Sequence, residues 1–347
     1  SVNGGAIPQL PAGGLAIIDL VGAPTAWTRR NVDLTGIATL YGSDPEPEYV
    51  SINEDNIAVV TLQENNHIAL VNLATGAVTG HFPAGSVTLD GVDLTDERPN
   101  LVQFTQTQTD RLREPDGVTW VSKTRFATAN EGDLAGGSRG FTLFNTDGSV
   151  AWDAGMDLEY RLASIGHLND RRNDAKGNEP ENVAFGRFGS TDYLFVASER
   201  SSVVAVYDMS QPTAPAYKQA LPGALSPEGL LAIPSRGLLI SASEVDDRSL
   251  PARSALNLYS YQKAAPKYPT VQSDNRSDGK PMPWGALSGL VAATTGNTVY
   301  AIEDSFYRAN RIFTVDVGMA PAAIRSELRI TDANDVLKNF GATLPAA

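Results

Sequence analysis

The chain contains no cysteine in 347 residues, which excludes disulfides, thiolate metal centres and a cysteine nucleophile while leaving the compartment open. Histidine is nearly absent as well. His67, His81 and His167 are its three copies and no two are close in sequence, so a histidine-rich zinc site is disfavoured. No apolar run approaches the roughly 18 residues needed to cross a bilayer, and no membrane span is expected. Positive charge is in deficit: 27 Lys and Arg face 40 Asp and Glu, a net charge of −13. A chain so acidic has no cationic excess with which to displace phosphate counterions, so nucleic acid and anionic membranes are poor partners. Helix signals are scarce, and only residues 332–340 combine a cap with helical spacing. The start, Ser1-Val2-Asn3-Gly4, shows neither Met nor a basic-then-apolar leader, and is expected to be trimmed or cut.

What is present is a repeat. The phrase Glu46-Pro47-Glu48-Tyr49-Val50 returns as Glu114-Pro115-Asp116-Gly117-Val118, Glu179-Pro180-Glu181-Asn182-Val183 and Ser226-Pro227-Glu228-Gly229-Leu230. A worn fifth copy, Ala286-Leu287-Ser288-Gly289-Leu290, has serine where the others have a carboxylate. The copies recur at intervals of 47–68 residues, suited to a four-stranded propeller blade with variable loops. Each is followed by a second apolar strand (57–62, 124–129, 193–198, 238–243, 298–302) that leads to Glu64, Glu131, Glu199, Glu244 or Glu303. A third strand follows (68–73, 140–144, 203–207, 256–261, 311–317) and in several copies a fourth. The expected fold is therefore all-β, a propeller of four-stranded blades: an incomplete blade at 1–40, full blades at 41–110, 111–175, 176–222 and 223–280, and a last blade with a helical tail at 281–347. Open edges would remain, so missing blades from the rest of a longer chain are expected.

In an antiparallel hairpin the start of the first strand and the end of the second share a rim. The spacing of 15–18 residues predicts the pairs Glu48 with Glu64, Asp116 with Glu131, Glu181 with Glu199, and Glu228 with Glu244, all converging on one channel mouth. Bare carboxylates so placed repel, and bound cations, raised pKa values or interleaved arginines must relieve them. An all-oxygen donor set favours calcium or magnesium. Nearby Asp/Asn loops, among them Asn169-Asp170 and Asn173-Asp174, offer further ligands. Arg200, Arg248 and Arg308 follow the second strands and would hold a phosphate ester or other small anion, or else neutralise the ring. Gly136-Gly137-Ser138-Arg139-Gly140 fits G-x-S-x-G, but that elbow needs a following helix and residues 141–144 read as a strand. Trp120 and Trp284 read as packing residues or walls of the mouth.

The phrases resemble a known family. Glu46–Val50 followed by Val60-Thr61-Leu62-Gln63-Glu64-Asn65-Asn66, together with Ala127-Thr128-Ala129-Asn130-Glu131-Gly132-Asp133 and Asn178–Val183, are similar to secreted bacterial choice-of-anchor I β-propellers, relatives of a biomineralisation-associated surface glycoprotein of echinoderms. With Pro283–Leu290 and Asp304-Ser305-Phe306-Tyr307-Arg308 added, the chain resembles bacterial proteins named for the esterase-like activity of phytase. The resemblance implies an exported protein, periplasmic or extracellular, and a phosphoester-hydrolysing role.

Two functions follow as expectations. In the first, calcium held by Glu48, Glu64, Asp116, Glu131, Glu181, Glu199, Glu228 and Glu244 polarises a phosphoryl oxygen. Glu181, with Glu199 as the other catalytic carboxylate, then serves as general base while Arg200, Arg248 and Arg308 hold the phosphate. In the second, the acidic propeller is a non-catalytic calcium-binding surface or matrix protein that binds glycan, mineral or protein. A lactonase-like propeller with one central metal is weaker, because Asn and His ligands are not evident.

Overall fold

The computed structural model describes residues 11–332 together with 334 and 336, so the expected helix at 332–340 lies largely outside the described residues. The chain begins with a two-stranded sheet, β1 (Leu15–Asp19) and β2 (Thr28–Val32). The first full blade follows as β3 (Pro47–Ile52), β4 (Ile57–Leu62), β5 (His67–Asn72) and β6 (Ala77–Pro83). A separate hairpin, β7 (Ser86–Val92) and β8 (Gln106–Leu112), precedes the second blade of β9 (Val118–Ser122), β10 (Arg125–Ala129), β11 (Phe141–Asn145) and β12 (Val150–Asp153). Helix α1 (Asp157–Ser164) leads to the third blade: β13 (Pro180–Phe188), β14 (Thr191–Ser198), β15 (Val203–Asp208) and β16 (Ala216–Pro222). The fourth sheet has β17 (Pro227–Ile233), β18 (Leu238–Ser243) and β19 (Ala255–Ser260). The last comprises β20 (Val271–Ser273), β21 (Leu287–Ala292), β22 (Thr298–Glu303), β23 (Arg311–Asp316) and β24 (Ala322–Arg329).

The fold is an all-β propeller whose full blades are four-stranded antiparallel meanders. Two sheets depart from the expected four strands. The fourth has three, because after β19 the chain carries Pro266 and Pro269 and no period-two alternation. The next short strand, β20, instead joins the last sheet parallel to β24, giving it five. The hairpin β7–β8 and helix α1 have no counterpart in the sequence reading. Successive inner strands lie side by side, β3 beside β9, β9 beside β13 and β13 beside β17.

The core lies between sheets, as propeller packing requires. Val59, Ile68, Trp120, Phe126 and Phe144 fill the seam between the first two blades. Phe141, Leu143, Val183, Val196 and Tyr207, with Leu158 and Leu162 from α1, fill the next. Strands sandwiched in this way are buried on both faces, which is why β4 and β14 read as near-continuous apolar runs. Trp120 packs in its seam and donates Nε1–H to Ser51 O at 3.0 Å, while Trp284 donates to Ser164 O at 2.8 Å, so both are packing residues.

Candidate metal centre at the channel mouth

A repeated backbone device delivers the acids. The first residue of the phrase is left-handed in four copies: Glu114 (φ 41°), Glu179 (φ 46°), Ser226 (φ 55°) and Ala286 (φ 44°). The inner strand then opens with a bulge. Pro180 pairs with Ser198 and Asn182 with Ala197, so Glu181 stands out of the ladder. Glu228 is skipped in the same way between Pro227 and Gly229, and Ser288 between Leu287 and Gly289. A bulged residue is re-aimed away from the sheet faces, here toward the mouth.

The second-strand register needs a correction. Glu199 N donates to Glu179 O at 2.9 Å, Glu244 N to Ser226 O at 3.0 Å, Gln63 N to Glu46 O at 3.1 Å, and Asp304 N to Ala286 O at 2.9 Å. The residue equivalent to Glu199 is therefore Gln63 in the first blade and Asp304 in the last, one position away from Glu64 and Glu303. Counting from the strand end rather than from the nearest acid finds Gln63, whereas the last strand runs one residue beyond its apolar pattern, to Glu303, and hides Asp304. Gln63 is no ring carboxylate; its Nε2 donates to Glu131 Oε2 at 2.6 Å. Glu303 turns inward and pairs with buried Arg311 at 2.7 Å.

A cavity of about 610 Å³ opens at the mouth, lined from four blades by Glu48, Tyr49, Gln63, Glu64, Asp116, Glu131, Asp133, Glu181, Asn182, Glu228, Gly229 and Ala242. Ser288 of the fifth copy is not in its wall. Asp116, Glu131 and Glu181 bring carboxylate oxygens within 4.8 Å of one another, and so do Glu179, Glu181 and Glu199. Glu181 thus belongs to both groups. Glu199 lies behind it, 4% exposed, and Glu244 is exposed beside Glu228.

Burial is the first cause of the electrostatics here. It holds the Glu181 carboxyl far above the ordinary carboxylate range, with the charges of Glu131, Glu199 and Asp116 adding to the shift. Asp116 is raised by burial, then by Glu131 and Glu48. Burial pushes Glu64 up to about 7, and its Oε2 is buried without a hydrogen-bond partner. Glu48, Glu131 and Glu228 are raised for the same first reason. Without an ion the cluster is a store of bound protons, which a cation would displace.

The cations stand at one side only. Lys176 Nζ lies 2.6 Å from Glu131 Oε1 and 3.7 Å from Glu179 Oε2. Arg200 bridges Glu199 at 2.6 Å and Glu179 at 3.0 Å, and Arg172 reaches Glu179 at 2.5 Å. The other two predicted anion-binding arginines lie elsewhere. Arg248 is exposed and pairs with Asp246 at 3.4 Å, since the 246–253 loop leaves the rim. Arg308 sits 3.5 Å from Glu97, on the insertion between β7 and β8. Lys176, Asp133 and Glu179 were not singled out by the sequence reading; a loop lysine that reaches across 45 positions leaves no local pattern.

Two other motifs resolve plainly. Ser138 is buried and accepts from Asn130 Nδ2 at 2.9 Å, and the chain continues into β11, so there is no nucleophile elbow. His67 and His81, distant in sequence, meet at 3.1 Å across β5 and β6, a pairing that spacing alone concealed.

The family profile described as Choice-of-anchor I domain matches residues 20–136 and 134–212, together more than half of the chain. No curated protein matches it. Among solved structures, a streptogramin B lyase is similar at 11% identity and a TM-score of 0.34, over 84% of this chain and 71% of that one. Virginiamycin B lyase from Staphylococcus aureus is similar at 11% identity and a TM-score of 0.34, over 85% and 73%. BamB from Moraxella catarrhalis is similar at 10% identity and a TM-score of 0.35, over 81% of this chain but 62% of its own length. Likeness of this degree carries no statement about activity.

Proposed function

The chain belongs to the choice-of-anchor I domain family, and from that premise we propose that its channel mouth binds a hard divalent cation, calcium foremost, in a non-catalytic binding propeller. Family membership implies a cell-surface or secreted protein, and no helix among the described residues is long and apolar enough to cross a membrane. The observation that carries the reading is Glu64 Oε2, a buried carboxylate oxygen without a partner in the wall of a cavity shared by Asp116, Glu131 and Glu181. Asp116, Glu131 and Glu181 would hold the ion first, with Glu48 and Glu64 completing an oxygen set suited to calcium. Calcium should raise the melting temperature of chelator-treated protein, and Glu181→Gln with Glu131→Gln should remove the part of that rise that the mouth ion supplies. Calorimetric titration showing no heat and no stabilisation would refute the site.

A second reading, calcium-assisted phosphoester hydrolysis, draws on the resemblance to esterase-like phytase proteins and on Glu181, whose protonated carboxyl is suited to donate to a leaving group. Arg200 and Lys176 are the cations near enough to meet a phosphate. Turnover of phytate or aryl phosphates that is calcium-dependent and lost in Glu181→Gln would favour this reading over the first.

A further inference from the structure

We propose that the outer end of the seam between the third and fourth sheets binds an anionic saccharide, a uronate or sulfated sugar whose ring stacks on Tyr261 while Lys218 and Lys267 meet its acidic group. The fourth sheet ends at β19 with three strands, whereas the third carries β16 as its fourth. The apolar seam between them, filled by Phe188, Phe195, Val206 and Leu239, is therefore left uncovered at its outer end. A cavity of about 460 Å³ opens there, walled by the third sheet, by β19 and by the 261–267 segment that stands in for a fourth strand. That volume is in the range of small-ligand sites.

The floor of the cavity is aromatic. Ring centroids of Tyr193 and Tyr261 lie 6.4 Å apart, those of Phe188 and Tyr261 5.6 Å, and those of Phe188 and Phe195 5.7 Å. Phe188 and Phe195 are buried, while Tyr261 is 39% exposed and keeps ring surface for a ligand. The rim is polar and cationic: Lys218, Gln219, Ser260, Gln262 and Lys267 line the cavity, and no acidic residue does. Among the described residues none of these five makes a side-chain hydrogen bond or a salt bridge. Val206 pairs with Gln219 and Tyr207 with Tyr217, so Lys218 stands in a bulge, which is how two successive residues of β16 come to line one cavity. Asp208 lies within reach of the Lys218 charge but outside the wall, and its carboxylate accepts from Ser210 N at 2.8 Å.

Two lysines without an acid are out of character in a chain of net charge −13. Lysine is a compact point charge that takes carboxylate and sulfate alike. A pyranose ring has apolar C–H faces that lie against an aromatic ring and hydroxyls that suit the amides and the serine. An aliphatic ligand would desolvate the polar rim without pairing it. A peptide of acidic residues would use the lysines but leave Tyr261 idle. Repulsion from the rest of the acidic surface is screened beyond about 8 Å at physiological salt. The site gives the binding propeller a partner class and does not depend on the mouth or its ion.

The test titrates the full chain in EDTA, which keeps the result apart from any ion at the mouth. The probes are oligogalacturonate, a sulfated heparin-type oligosaccharide, a neutral cello-oligosaccharide of the same length, and polyglutamate. At least one of the two anionic saccharides should bind, and which one does so tells carboxylate from sulfate. The neutral sugar and polyglutamate should bind more weakly by about tenfold or more. Tyr261→Ala should weaken saccharide binding about tenfold while Tyr261→Phe keeps it. Lys218→Ala with Lys267→Ala should weaken it and flatten its salt dependence. All three side chains are exposed, so the variants should melt as the wild type does. Binding of neither anionic saccharide, equal binding of either control, or unchanged binding by Tyr261→Ala would overturn the proposal.

Discussion

Glu179 shows how one position is set by its surroundings rather than by its motif. Its carboxylate is fully buried beneath Arg172, Lys176 and Arg200, and it thereby joins the mouth to the 172–178 loop. The equivalent phrase residue Glu114 has another task, accepting backbone N–H groups from Asp133 at 2.8 Å and Leu134 at 2.9 Å to shape the loop beyond β10. Removing one partner from a buried charge cluster leaves the others uncompensated. Glu179→Gln is therefore expected to destabilise by about 3 kcal/mol in denaturant titration, whereas exposed Asp246→Asn, facing Arg248, should change stability little. The phrase makes Glu46, Glu114 and Glu179 look alike in sequence; which receives arginines and which receives amides depends on loops that the repeat does not share.

At the scale of the element, the phrase encodes a bulge, and the bulge is what turns a strand residue into a channel residue. Inner strands then meet closely: Gly117 N donates to Glu181 O at 3.0 Å, and a Cβ on Gly117 would lie 2.6 Å from Asn182 Cα and 2.7 Å from Glu181 O. Both are backbone atoms and cannot step aside. Gly117→Ala should wedge β9 from β13, costing about 1–3 kcal/mol in chemical unfolding and weakening calcium binding at Asp116 and Glu181 together. Unchanged calcium affinity would show that the two carboxylates do not depend on this contact. Strand positions were legible because two-sided burial writes apolar runs; the three-stranded fourth sheet and the hairpin β7–β8 were not, because edge strands carry little pattern.

For the whole molecule, the balance of protons gives a signed prediction. Burial holds Glu64 near 7 rather than 4.5 and raises Asp116, Glu131 and Glu181, so above about pH 4 the folded chain binds more protons than the unfolded one. Stability of ion-free protein then falls as pH rises. His67 acts in the opposite sense: burial lowers it from 6.5 to about 4, so its contribution is present above that range and lost on acidification. His167 is lowered by burial as well, so two histidines oppose several carboxyls below pH 6.5 and none above. The melting temperature in EDTA should decline from about pH 5 to about pH 8, and saturating calcium should flatten the decline; a rise in EDTA would contradict the assignment. The sequence by itself determined the all-β architecture, the acidic character and the gathering of the phrase acids at one rim, because hairpin geometry is local and has a period of two. Tertiary structure alone decided that Gln63 replaces a carboxylate and that Lys176 and Arg200 serve the mouth while Arg248 and Arg308 do not. Those outcomes depend on how loops from different blades pack against one another, which no repeat within a single blade records.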